Sequence, residues 1–180
     1  TITTNANYAA TIGDNADTAL TATNLSAVGG DTGGTVTVTN AVAISGSAVE
    51  ATAALVTDLT KVEAPTATLS ITGAITDYDV LDDILAEVGN VTASGSGSAA
   101  TINTAINNGS ATDALTLTLA AESVAATVLT SLDGKTSVAL GAGSVTTHTG
   151  SLAAVKAVVD AGATITTNAN YAATIGDNAD

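Results

Sequence analysis

Few residues in this 180-residue chain are equipped for chemistry. His148 is the only histidine, and it lies in VTTHTG, residues 145–150. A Ser-His-Asp triad would need a nucleophile on a sharp turn such as G-x-S-x-G, which is missing here. The alternation around His148 instead predicts a solvent-facing position on a strand. Hard cations require several oxygen ligands close together. Two stretches offer them: GDNAD, residues 13–17 and again 176–180, and DYDVLDD, residues 77–83. Asp14, Asp17, Asp79, Asp82 and Asp83 are therefore the candidate calcium ligands, and no other cofactor is expected. Neither stretch has EF-hand spacing or the calcium-binding nonapeptide of β-helices. Acids in a turn or at a positive helix start explain the same residues without a metal.

Threonine recurs at alternate positions in TVTVTN, TLTL, TATN and VTTHT. Rows of T-x-T present hydroxyls and methyls as a flat surface, which would suit ice or glycan; Thr also simply favours strands. GGDTGG and SGSGS lack the lysine and spacing of a phosphate loop and read as turns. Asn24, Asn90 and Asn108 head N-x-[ST] sequons. Lys61, Lys135 and Lys156 are the only basic residues besides His148, too few for a design built on Lys–Asn crosslinks. No constellation supports an enzyme.

Seventeen acids against three lysines give a net charge of −14. Such a surface repels phosphate backbones and offers no basic stripe, so nucleic acid is not an expected partner. Hydrophobic residues reach 46%, yet Phe, Met, Trp and Cys are all missing. A core must then be made of Ala, Val, Leu and Ile, which fill thin regular layers better than the irregular centre of a globule. Polar residues interrupt every apolar run well short of the ~18 residues a spanning helix needs, so membrane insertion is not expected. Without cysteine, neither a disulfide framework nor a thiolate metal site can form.

The first 17 residues, TITTNANYAATIGDNAD, return unchanged at 164–180. The offset of 163 (164 − 1) reads as the period of a tandem array, with residues 1–163 one period and 164–180 the start of the next. Within the period an alternating Thr/Val/Leu segment, a short turn and a run of helical spacing recur. TVTVTNAVAI (35–44) predicts a strand. The run after it predicts a helix capped by Ser47, with Val49, Ala53 and Val56 inward. TATLSI (66–71) predicts the next strand. The helix after it takes Thr76 as N-cap, Val80, Leu81, Ile84, Leu85 and Val88 as its buried face, and Gly89 as its stop. Ile102 and Ile106 mark a weaker helix. A strand at 115–119 precedes a helix facing inward through Val124, Val128, Leu129 and Leu132. Another strand falls around Val145, and a helix capped by Ser151 turns Leu152, Val155 and Val159 inward and stops at Gly162. Before residue 35 the pattern suggests two short-helix units. Unit starts near 1, 18, 35, 66, 91, 114 and 137 give seven units of about 23 residues (163/7). The expected fold is an α/β solenoid of stacked strand-helix units with a parallel sheet, the alternative being a pure β-solenoid.

ALTLTLAAESVAATVLTSLDGKT and SVTTHTGSLAAVKAVVDAGAT, within 115–164, resemble repeats of the giant acidic, Thr/Ala-rich cell-surface proteins of cyanobacteria and other aquatic bacteria. Residues 35–88 resemble them less closely. The resemblance implies an extracellular or cell-surface array and carries over no active-site residues. The expected role is a structural segment of a filament, stalk or adhesin shaft whose partner is another copy of itself, head to tail or in tandem. The alternative is a Thr-lined surface that binds ice or glycan.

Overall fold

A computed structural model describes residues 7–176. In chain order the elements are β1 (Ala10–Ile12), β2 (Ala19–Thr21), α1 (Ala22–Gly30), β3 (Val36–Val38), β4 (Ala43–Ser47), α2 (Ala48–Leu55), β5 (Val62–Ile75), α3 (Tyr78–Leu85) and β6 (Val88–Gly97). They continue with α4 (Ala99–Ala105), β7 (Ala114–Leu119), β8 (Ser123–Ala125), α5 (Ala126–Asp133), β9 (Leu140–Ala142), β10 (Thr147–Gly150), α6 (Leu152–Asp160), β11 (Ile165–Thr167) and β12 (Ala172–Ile175). The chain is α/β, with its strands in parallel sheets. The strands that open each strand-and-helix segment begin at Ala10, Val36, Val62, Val88, Ala114, Leu140 and Ile165. That step is 26 residues (36 − 10) and shortens to 25 (165 − 140) only at the last. Most segments hold a second strand before the helix, or one long strand in its place, so they run longer than the spacing read from sequence.

Two compact units divide the chain: residues up to Gly73 with Asp79–Ala93, and Ala74–Tyr78 with residues from Ser94 on. In the first, Ala10 pairs with Val36 and Val36 with Val62, while Ala19 pairs with Ala43 and Ala43 with Thr68. Alternation turns Val36, Val38, Ile44 and Leu69 inward and Thr35, Thr39 and Ser45 outward. Ser47 caps α2 through a reciprocal box with Glu50, satisfying two backbone N–H groups that the helix leaves open. In the second unit Leu140 pairs with Ile165, and His148 pairs with Val124 on one side and Ala173 on the other. Leu115, Leu117 and Leu119 alternate into the core, where Ile102, Ile106, Leu129 and Leu132 from helices and turns meet the same layer, all nearly or fully buried.

Several helix faces differ from the expected ones. Val49 is 80% exposed, and α2 buries Ala51, Ala54 and Leu55 instead. On α6, Leu152 and Val159 are exposed while Val155 and Val158 are buried. An eight- or nine-residue helix makes little more than two turns, so its buried stripe is only two or three residues wide and apolar residues are left over on its flanks. Val124 reaches the core from β8 rather than from a helix, and Val145 from the turn before β10. Ala10–Ile12, expected in a short helix, is a strand. SGSGS is not a turn: Ser94–Gly97 completes β6, where buried Gly95 leaves room for Tyr78. Gly89 also lies in β6, packed against the backbone of Pro65 and Ala67, and is not a helix stop.

The exposed position of Val49 and the full burial of Leu55 predict unequal costs on the same helix. Leu55→Ala should destabilise by ~2–5 kcal/mol, whereas Val49→Ala should stay within about 0.5 kcal/mol, as read from urea unfolding midpoints.

Candidate functional site

His148 is the one predicted site residue that the fold places in an unusual setting, and it does so against expectation. It is fully buried in the middle of β10, not solvent-facing. Val145 is also buried, so strict alternation from Val145 would turn His148 outward. The turn before Thr147 resets the phase, and β10 then points His148 inward between the half-buried Thr147 and Thr149. Its ring stacks on Tyr171 with centroids 4.1 Å apart and planes 14° from parallel. Neither ring nitrogen has a hydrogen-bond partner among the described residues. Burial without a partner disfavours the charged imidazolium and holds the pKa below its ordinary 6.5. The arrangement gives no nucleophile to activate; it makes His148 an aromatic anchor for Tyr171, the residue that leads into β12.

Acidic candidates take backbone roles. The Asp14 carbonyl accepts a 2.7 Å hydrogen bond from the Asn40 side chain. Asp17 sits in the left-handed region at φ 63°, and its N–H donates to the Ala41 carbonyl. These contacts hold the GDNAD turn against the following 40–41 turn. In the second copy of that motif, Asp177 and Asp180 lie outside the described residues. Asp79 falls in the first turn of α3, where the helix dipole favours it, and Asp82 and Asp83 follow on the same helix. No group of three or more His, Cys, Asp or Glu side chains among the described residues is placed to hold a metal ion.

Polar contacts that sequence reasoning missed link residues about one repeat apart. Lys61 pairs with Glu87 at 2.9 Å. Within the first unit, Thr23 donates to Glu50, whose carboxyl is held below the usual range by hydrogen bonds from the Ser47 backbone and from the Thr23 and Ser47 hydroxyls. In the second unit Glu122 accepts from the Ala99 N–H at 2.6 Å and from the Ser98 hydroxyl at 3.1 Å, capping α4 from the neighbouring repeat. At the other end of α4, Lys135 Nζ donates to the carbonyls of Asn103 and Ile106. The spacing of roughly one repeat between such pairs was available in the sequence, but only once the repeat length was known.

Threonine rows are mixed. Thr11 faces Thr37, but the next position is Glu63; Thr118 and Thr166 are separated by Gly141. No helix among the described residues is long and apolar enough to cross a membrane. No family model, no curated protein and no solved structure matches the chain.

Two outcomes follow from the buried rings. His148 has a lower pKa folded than unfolded, so its contribution to stability is complete above pH 6.5 and is lost as pH falls below that value towards its folded pKa. The unfolding midpoint should therefore drop on acidification below pH 6.5, by up to ~1.4 kcal/mol per pH unit, and His148→Phe should remove that slope. The buried Tyr78 hydroxyl has no hydrogen-bond partner among the described residues. Tyr78→Phe should be neutral or stabilising by up to ~1 kcal/mol in thermal unfolding, whereas Gly95→Ala should destabilise by ~1–3 kcal/mol, because its Cβ would stand 2.4 Å from that hydroxyl.

Proposed function

We propose that the chain is one repeat of a long extracellular structural protein, a filament, stalk or adhesin shaft, built as a solenoid in which each coil pairs with the one before it. The observation that carries this reading is the register. Strand partners in each unit are separated by about one repeat length, as in Ala10 with Val36, Ala43 with Thr68, Leu140 with Ile165 and Thr147 with Ala172. Each strand therefore recruits its counterpart one repeat later, the rule by which a solenoid propagates. An aliphatic core without Phe, Met or Trp suits thin stacked layers, and the 17-residue recurrence supplies a way to continue. The extracellular setting draws on the likeness to bacterial cell-surface repeats.

Chains of two and four consecutive 163-residue periods distinguish this reading from a closed globule. Small-angle scattering and electron microscopy should show length growing by roughly 30 Å per period at constant width, from six coils about 4.8 Å apart. A radius that grows only as a compact body does, close to the 0.38 power of chain length, would overturn it.

A further inference from the structure

The repeated 17-residue segment is seen twice, and its two copies bond through opposite edges. Near the start, β1 is a terminal strand of its sheet and uses its edge towards β3. Ala10 N–H donates to the Thr35 carbonyl at 3.0 Å, and the Ile12 carbonyl accepts from Thr39 N–H at 3.2 Å. Near the end, β12 is a terminal strand of its own sheet and pairs with β10. There the Ala172 N–H donates to the Thr146 carbonyl at 2.9 Å, and the Gly176 N–H donates to the Gly150 carbonyl at 3.1 Å. Subtracting 163 maps Ala172 and Gly176 onto Ala9 and Gly13, and maps Ala173 and Ile175 onto Ala10 and Ile12. Successive residues of a strand direct their backbone groups to opposite edges. The edge that β12 leaves open, at Ala173 and Ile175, is thus the edge that β1 uses on β3.

Other contacts divide in the same way. Tyr171 places its ring on His148, upstream. Its counterpart Tyr8 uses its carbonyl, which accepts from the Thr32 hydroxyl, downstream. Asp14 and Asp17 also use backbone groups downstream, towards Asn40 and Ala41. Among the backbone hydrogen bonds given above for the described residues, none is claimed by both sides, so one strand could satisfy both sets together.

We propose that β12 is the docking strand for a second copy of this chain. Val36–Val38 of the following copy pairs with Ala173–Ile175 in the register that Ala10–Ile12 holds, and the following copy's own first strand is displaced. The inference rests on the array reading above and specifies its seam. The exchange replaces each hydrogen bond with an identical one, so mass action sets its extent and assembly rises with concentration. In a covalent tandem chain the same strand is shared without displacement.

The chain has no cysteine, so introduced pairs report contacts without background. Thr11 lies opposite Thr37 in the β1–β3 register, and Thr174 is the later copy of Thr11. Thr37→Cys combined with Thr174→Cys should give a non-reducing ladder of dimers, trimers and longer species that grows with protein concentration. Thr37→Cys with Ala173→Cys, whose side chains point to opposite faces, should crosslink at least several-fold less. Ala173→Pro places a ring on the open edge without touching the bonds to β10, so it should return the protein to monomer in sedimentation velocity. Association that persists in Ala173→Pro, with equal crosslinking of both cysteine pairs, overturns this seam and leaves the head-to-tail reading standing. Wild-type protein that stays monomeric at every concentration overturns both.

Discussion

Parallel pairing at a fixed chain interval is the constraint on which the rest of this structure depends. A parallel partner cannot come from a two-residue hairpin; the chain must travel through a crossover before it returns alongside itself. Here the journey takes about one repeat, and a short helix fills part of it. Because each strand fixes the start of the next, repeat length varies little along the chain, and the helices must fit the interval that is left. They are seven to nine residues long, close to the minimum that still presents a buried stripe. Small aliphatic side chains follow from the same constraint, since a shallow layer between a strand and a two-turn helix takes a ring only where a small residue makes room, as Gly95 does for Tyr78.

Within each unit, polar residues are spent where this geometry leaves backbone groups open. Short helices have a high proportion of unsatisfied ends, because four N–H and four C=O groups per helix are left over whatever its length. Ser47, Ser151 and Thr21 meet that need locally. Glu122 and Lys135 meet it from a neighbouring repeat, at opposite ends of α4. Strand backbone is served too: inside the second unit the Thr136 hydroxyl bonds both the N–H and the carbonyl of Leu115 in β7. Scarce charge is thus directed to the joints, and the remaining acids stay on the surface.

Much of this was legible because local signals agreed with the tertiary outcome. The Ser47 and Ser151 caps, the α3 helix with Leu81, Ile84 and Leu85 inward, and the Leu115–Leu119 alternation appear as the residues predict, whereas Val80 is only half-buried and Val88, expected on the same helix face, starts β6. Phase was the weak point. Alternation from Val145 points His148 outward, but Val145 closes the turn at 143–144 and lies outside β10, so the phase of the strand starts afresh at Thr147. Gly89, Gly95 and Gly97 look like punctuation, yet they lie in β6, where Gly89 admits a neighbouring strand and Gly95 admits a tyrosine ring. Val49 and Leu152 fit a helical period, but in a helix this short period alone does not say which of two adjacent stripes is covered. The candidate calcium ligands were chosen for nearness along the chain; the fold separates Asp14 and Asp17, in a turn, from the three acids of α3.

With no tryptophan and three tyrosines, the ultraviolet spectrum of this protein is written by very few rings. Tyr78 is shut in beside Gly95, Tyr171 is laid flat on an imidazole, and Tyr8 is only partly covered. Each therefore sits in different surroundings, and the one just before β12 is stacked on the only histidine. The stacked pair is an optical label on the approach to β12, readable by fluorescence or near-ultraviolet dichroism without a dye.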